Sequence, residues 1–152
     1  MDDNRKGEVV YFAHPIVHYD KDIEWECINI ILEMLTPIGE DPTEGFIHIM
    51  NPNQRWLSNL YQRRLAEDEE DPFDIFRQIA LSCDIIVGVT FADGTIGAGV
   101  GEEMKTCIEK GIPAYLIMLH DKRKLFMPVS NMDNYVILSR EDTRKKIKRG
   151  FI

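Results

Sequence analysis

The stretch from Asp84 to Thr90 constrains the fold of this chain more than any other. It reads Asp-Ile-Ile-Val-Gly-Val-Thr, with no polar residue at alternate positions of its interior. A strand of this composition is apolar on both faces, which is typical of the middle of a parallel sheet covered by helices on both sides. We therefore expect an α/β fold.

The segments around this strand alternate between two patterns. Short apolar runs predict four further strands, at Val9–Ala13, Phe46–Met50, Ala114–Leu119 and Tyr135–Leu138. Helical spacing predicts helices over 20–35, within 54–71, around 76–83, over 101–111 and over 140–148. This alternation predicts a single domain over residues 1–152, a doubly wound, flavodoxin-like or Rossmann-like sheet of five parallel strands with helices on both faces.

Composition and charge exclude several kinds of partner. The chain has 18 Lys and Arg against 26 Asp and Glu, a formal charge of −8, which disfavours binding to a nucleic acid backbone. Its three cysteines lie far apart and form no cluster with histidines, so neither a metal nor a cofactor is expected. The N-terminus is polar, and no apolar run reaches the ~20 residues of a membrane span. We expect a cytoplasmic protein with no membrane partner.

The loop after the third strand is the most unusual part of the sequence. In open α/β sheets, ligands bind beyond the carboxyl ends of the strands, where the strand order reverses. Residues 93–103 there read Asp-Gly-Thr-Ile-Gly-Ala-Gly-Val-Gly-Glu-Glu. Such glycines let the backbone approach a ligand, although their spacing matches neither a dinucleotide fingerprint nor a P-loop. A tight turn from strand to helix is the alternative interpretation. The basic run at 144–149 is interpreted as a solvated helix face.

Two adjacent glutamates follow these glycines. Neighbouring residues on a helix point about 100° apart, so only one of the two carboxylates can face a cleft. Glu103 shares a face with Cys107 and is the one expected to point inward, as a nucleophile or an electrostatic stabiliser. Stabilisation of the helix N-terminus is the alternative role for either carboxylate.

Several segments resemble one enzyme family. The segment Cys83–Val89, the loop ending Gly99-Val100-Gly101-Glu102-Glu103 and the turn Gly111-Ile112-Pro113 resemble the nucleoside 2-deoxyribosyltransferases and the related deoxynucleoside monophosphate N-glycosidases. Tyr11-Phe12-Ala13 resembles the signature of the family's first strand. The resemblance implies that Glu103 is the nucleophile, that Tyr11 orients it and that Gln54 contacts the base. It also implies a homo-oligomer whose sites are completed by a neighbouring subunit, where the carboxylate of Ile152 would be relevant.

The chain departs from the family pattern at two positions. Six residues before the glutamate, the transferases carry an aspartate and the glycosidases a phosphate-binding serine, but this chain has Gly97. Asp93 and Thr95 are close enough to substitute, and Asp93 is our candidate general acid for departure of the base. The family's aspartate that supports the nucleophile falls at Phe76, so Asp74 would serve only if the helix carries an insertion.

These observations predict an enzyme that acts on an N-glycosidic bond. The expected reaction transfers the 2-deoxyribosyl group of a deoxynucleoside to another nucleobase or to water through Glu103. The alternatives are a nucleoside monophosphate N-glycosidase and a non-catalytic module that binds or senses nucleotides. A phosphate cradle is not evident after the first strand, which favours nucleosides. The expected substrate-binding residues are Ala13, His14, Gln54, Thr95, Gly97, Gly99 and Gly101.

Overall fold

A five-stranded sheet organises the chain. The computed structural model describes residues 7–67, 71 and 74–149. The strands are β1 (Glu8–Ala13), β2 (Ile47–Met50), β3 (Ile85–Val89), β4 (Ala114–His120) and β5 (Arg123–Val129), in the order β2-β1-β3-β4-β5. The pairs β1–β2, β1–β3 and β3–β4 are parallel, whereas β4–β5 is antiparallel. The α/β class is confirmed, and the prediction of a purely parallel sheet is wrong at the last strand.

The last strand is part of a hairpin. Asp121 and Lys122 separate β4 from β5, and both adopt a positive φ, of 48° and 63°. Two residues of this conformation form the turn that returns a chain directly into an antiparallel strand, whereas a parallel strand needs a crossover of a dozen residues or more. The segment Tyr135–Leu138, predicted as the fifth strand, contributes only an isolated parallel bridge between Ile137 and Ile96.

The part of the chain that the structure describes contains five α-helices. They are α1 (Asp22–Leu35), α2 (Arg55–Ala66), α3 (Asp74–Leu81), α4 (Ala98–Glu109) and α5 (Arg140–Lys148). β3 is buried along its whole length, as its composition predicted. Ile86 packs in a cluster with Met104 of α4, and Val87 packs in a second cluster with Ile31 of α1. Among the described helices, none combines the length and the apolar character needed to cross a bilayer.

Glycines allow α4 to approach its neighbours closely. A Cβ atom added to Gly101 would lie 2.6 Å from Cγ2 of Ile137, whereas one added to Gly99 would meet nothing within 4 Å. Ile137 is β-branched, and its backbone is held in the bridge to Ile96, so it has little freedom to move away. Gly101 therefore allows the close packing of α4 on the segment that precedes α5.

Alanine at these two glycines should have opposite effects on stability. We expect Gly101→Ala to lower the free energy of unfolding by about 1–3 kcal/mol, because the new methyl group overpacks the contact with Ile137. Gly99→Ala should raise it by up to about 1 kcal/mol, since alanine favours the helical conformation over glycine. Urea denaturation of both variants measures the difference. Equal stabilities would contradict the close packing at Gly101.

Candidate active site

A cleft of about 280 Å³ lies at the carboxyl ends of β1 and β3. Its walls come from the loop after β1, the start of α4 and one face of α5. This is the position expected for a ligand in an open α/β sheet. The cleft therefore brings together residues from the first and last quarters of the chain.

A hydrogen bond between Tyr11 and Glu103 lies in this cleft. Tyr11, fully buried in β1, donates its hydroxyl to Oε1 of Glu103 over 3.2 Å. Burial raises the pKa of Glu103 to about 8, although the bond from Tyr11 opposes this rise. Burial likewise raises the pKa of Tyr11, so its hydroxyl stays protonated. Within the described part of the chain, Oε2 of Glu103 accepts no hydrogen bond and is available to a ligand.

The neighbouring carboxylate, Glu102, faces two arginines. It accepts a hydrogen bond from Nη2 of Arg140 at 3.1 Å and lies 3.5 Å from Nη1 of Arg77. Glu102 therefore links α3, α4 and α5, while Glu103 is the carboxylate paired with Tyr11. Both residues line the cleft, because it extends across the start of α4 from β1 to α5, so the prediction that only one of the two glutamates could face it is wrong.

Asp74 pairs with Arg77 of the same helix. Nη2 of Arg77 lies 3.3 Å from Oδ1 of Asp74 and also bonds Asp71, while Gln78 donates to Oδ2 of Asp74 at 2.6 Å. Among the described contacts, none joins Asp74 directly to Glu103. The charge of Arg77 lowers the pKa of Glu103, against the stronger effect of burial. Sequence reasoning missed Arg77, which lies one helical turn after Asp74.

The structure does not bring Asp93 or Thr95 to Glu103. Asp93 accepts two hydrogen bonds from Thr95, at 3.0 and 2.7 Å, and pairs with Lys146 of α5. Burial alone would raise the pKa of Asp93, but the bonds from Lys146 and Thr95 outweigh it and lower the pKa to about 2. Neither side chain lines the cleft. An ionised carboxylate outside the cleft does not fit the role of general acid.

The other predicted binding residues divide into two groups. His14, Gly97 and Gly99 line the cleft, but Ala13, Gln54 and Gly101 do not. Ala13 is fully buried at the end of β1, and Gly101 packs on Ile137. Gln54 precedes α2, where Nε2 donates to the carbonyl of Asn51 and Oε1 accepts from Trp56, each at 2.8 Å. Ile152 lies outside the described residues.

His14 belongs to a buried polar network that sequence reasoning missed. One ring nitrogen, Nε2, lies 2.7 Å from Oε2 of Glu24, and the other, Nδ1, lies 2.9 Å from the carbonyl of Phe12. Asn53 donates to both carboxylate oxygens of Glu24, at 3.2 and 3.1 Å. Burial lowers the pKa of His14, and its two acceptors oppose this effect. Both ring nitrogens therefore face protein oxygens rather than the cleft.

Tyr19, Arg140 and Arg144 are among the cleft residues that the sequence did not predict. Tyr19 follows the short turn Ile16–His18, and its ring centroid lies 4.7 Å from that of His14. Arg140 and Arg144 reach the cleft from α5, on successive turns of the helix. Their spacing of four residues was the available signal, but nothing in the sequence showed which surface that face would cover.

The described residues contain no group of three or more His, Cys, Asp or Glu side chains placed to hold a metal ion. Comparison of the chain with protein-family models, with curated proteins and with solved structures finds no match. The geometry of the cleft is therefore the basis on which a function can be assigned.

Proposed function

We propose that this protein breaks the N-glycosidic bond of a deoxynucleoside and transfers the 2-deoxyribosyl group to another nucleobase or to water. The observation that carries the proposal is the Glu103 carboxyl group in the cleft, with one oxygen held by Tyr11 and the other unoccupied. The motifs around Glu103 resemble those of enzymes with this chemistry. A carboxylate in such a position suits attack on C1′ of the sugar.

In the proposed reaction, Oε2 of Glu103 attacks C1′ while the bond from C1′ to the base nitrogen breaks and its electron pair stays on the base. A second base or water then attacks C1′ of the resulting glycosyl-enzyme and loses a proton to solvent, while the bond from C1′ to Oε2 breaks and its electron pair returns to the Glu103 carboxylate. Each step is an easier displacement than the direct exchange of one base for another. Tyr11 holds the carboxylate in one orientation throughout, because its own hydroxyl remains protonated.

A nucleoside monophosphate is the second candidate substrate, and one observation favours it. Arg140 and Arg144 both line the cleft, and Arg144 makes no ion pair or hydrogen bond among the described residues. A guanidinium without a carboxylate partner suits a phosphate group. We expected an unphosphorylated nucleoside because the loop after β1 shows no phosphate cradle. These two arginines instead come from α5, at the other end of the chain.

Replacement of Glu103 should abolish turnover and leave the fold intact. We expect Glu103→Gln to lower kcat by roughly 10³-fold or more, since the amide is not a nucleophile. Glu109→Gln is the control, because it removes an exposed carboxylate from the other end of the same helix, and it should keep most of the activity. Chromatography of products from each deoxynucleoside with a different free base measures exchange and hydrolysis. Wild-type protein that gives neither product would favour the non-catalytic binding module.

The same variant tests the burial of Glu103 without an activity assay. Between pH 4.5 and about 8, the folded chain retains a proton on Glu103 that the unfolded chain has lost, so wild-type stability falls as the pH rises through this window. The Glu103→Gln variant does not lose stability in this way, because the amide does not titrate. Its Tm relative to wild type should therefore increase from pH 5 to pH 8. A constant difference would show that Glu103 is well solvated.

Removal of the Tyr11 hydroxyl should shift the pH profile. The bond from Tyr11 favours the ionised form of Glu103, so in Tyr11→Phe the pKa of Glu103 should rise further. The rising limb of kcat/KM, expected near pH 8 in the wild type, should move to higher pH. Activity at pH 7 should fall about tenfold, as expected for a hydrogen bond to a charged group. A rising limb at the same pH in Tyr11→Phe and wild type would show that a group other than Glu103 controls this limb.

Replacement of Arg144 should distinguish a deoxynucleoside from a deoxynucleoside monophosphate as the substrate. If a phosphate binds there, Arg144→Ala should raise KM for a deoxynucleoside monophosphate about tenfold, and it should change KM for the nucleoside less than twofold. Lys148→Ala, which removes an exposed charge from the same helix, is the control. Equal effects on the two substrates would argue against a phosphate at Arg144.

A further inference from the structure

We propose that the hydroxyl of Tyr19 donates a hydrogen bond to the nucleobase as the base leaves the sugar. The inference rests on the proposed function, because it names the donor that the reaction requires at the leaving group. Departure of a base leaves an electron pair on a ring nitrogen, and a hydrogen bond to the base stabilises that charge. Asp93 does not fit this role, so another group in the cleft must supply it.

Position and burial support Tyr19. Its ring lines the same cleft as Glu103 and packs against His14. Burial, followed by the charges of Glu103 and Glu24, raises the pKa of Tyr19 above its usual value. The hydroxyl therefore stays protonated across the working pH range. It is suited to donate a hydrogen bond and not to transfer its proton fully.

Most of the other side-chain donors in the cleft are already engaged. Besides the carboxyl group of Glu103, six side chains that line the cleft carry polar hydrogens: Tyr11, His14, Tyr19, Arg140, Thr143 and Arg144. Tyr11 donates to Glu103, both nitrogens of His14 face oxygens, Arg140 bonds Glu102, and Thr143 donates to the carbonyl of Ser139 at 2.8 Å.

Tyr19 and Arg144 are the two of these six side chains that remain available as donors. Among the described residues, neither makes a hydrogen bond with its side chain. Arg144 is exposed on α5, whereas Tyr19 is half-buried and packs against the His14 ring in the cleft. A base and a 5′-phosphate are attached to different carbons of the sugar, so one substrate can engage both residues.

Side-chain hydrogen bonds hold the segment around Tyr19. Asp20, the next residue, has a φ of 61°, in the left-handed region that aspartate adopts more readily than most residues. Asn53 donates to Oδ1 of Asp20 at 3.0 Å and to both oxygens of Glu24. Glu24 forms a hydrogen bond with His14, and the His14 ring in turn packs against the ring of Tyr19. Asn53 is therefore a positioning residue that acts through Tyr19.

Departure of the base conserves electrons and protons. Glu103 forms a bond to C1′, the bond from C1′ to the base nitrogen breaks, and its electron pair remains on the base. Tyr19 stabilises this charge through the hydrogen bond and keeps its own proton. The released base takes a proton from solvent water. No oxidant, reductant or further reactant takes part.

Substrates with different leaving groups test the inference. On deoxynucleosides, Tyr19→Phe should lower kcat roughly tenfold or more, as expected when a hydrogen bond to a charged group is lost. On 4-nitrophenyl 2-deoxyriboside, whose leaving group departs as a stable anion, the loss should be less than threefold. Tyr115→Phe, on a half-buried tyrosine of β4 outside the cleft, should match wild type on both substrates. Equal losses of Tyr19→Phe on the two substrates would overturn the inference.

Asn53→Ala tests the supporting network with the same readout. It should reproduce the dependence on leaving group in weaker form, because Tyr19 would be less well oriented. A purely structural loss would affect both substrates equally. Circular dichroism of each variant confirms that it is folded.

Binding of free nucleobases, measured by calorimetry, separates this inference from the proposed function. We expect Tyr19→Phe to weaken binding of adenine or thymine about fivefold. If the wild type binds bases in this way but turns over no substrate, the proposed function is wrong and the Tyr19 contact stands. If the wild type turns over substrate while Tyr19→Phe has normal kcat and normal affinity, the Tyr19 contact is wrong and the proposed function stands. If the wild type neither binds nor reacts, both are wrong.

Discussion

The close approach of α4 to β3 determines the geometry of the whole cleft. A Cβ atom added to Gly88 would lie 2.3 Å from the sulfur of Met104, so the absence of a side chain lets the helix lie directly on the strand. Gly88 pairs with Ala13 across the β1–β3 ladder, and Tyr11 lies two residues earlier on β1. Glu103 precedes Met104, and this contact therefore brings its carboxylate within reach of the Tyr11 hydroxyl. The hydrogen bond between Tyr11 and Glu103, which lie 92 positions apart in the sequence, depends on this contact between α4 and β3.

Polar contacts hold α5 as the remaining wall. Thr143 accepts a hydrogen bond from the amide of Ala98 at 3.0 Å, Arg140 pairs with Glu102, and Lys146 pairs with Asp93. None of the described residues of α5 is fully buried. Asp93 and Glu102, two acids next to the glycine-rich loop, thus attach a helix to the body of the domain. They account for part of the acidity of this loop without any role in the proposed chemistry.

Local patterns in the sequence were sufficient for most of the fold and for the centre of the cleft. The apolar run of β3, the spacing of α1 and the paired glutamates each report on their immediate surroundings, and the helix predicted over 140–148 matches α5. The β4–β5 hairpin was missed because its turn, Asp121-Lys122, carries no glycine, and the conformation of such a turn is decided by the strands it joins.

The surroundings of Glu103 could not be predicted in the same way. Arg77 reaches Glu102 across 25 residues of sequence, and Asp93 was assigned to the wrong surroundings because its partner, Lys146, lies 53 residues away. Burial and pairing decide what a carboxylate does, and both are properties of the assembled fold. The glycine-rich loop itself does not show whether a nearby acid faces the cleft or a lysine.

The high pKa of Glu103 defines the resting state of the protein. With a pKa of about 8, Glu103 is mostly a neutral acid at pH 7 when the cleft is empty. The neutral form neither attracts cations nor attacks electrophiles. A bound sugar that develops positive charge at C1′ would favour loss of this proton at the moment when the charge is useful. The cleft would then remain unreactive until a ligand of the correct charge distribution fills it.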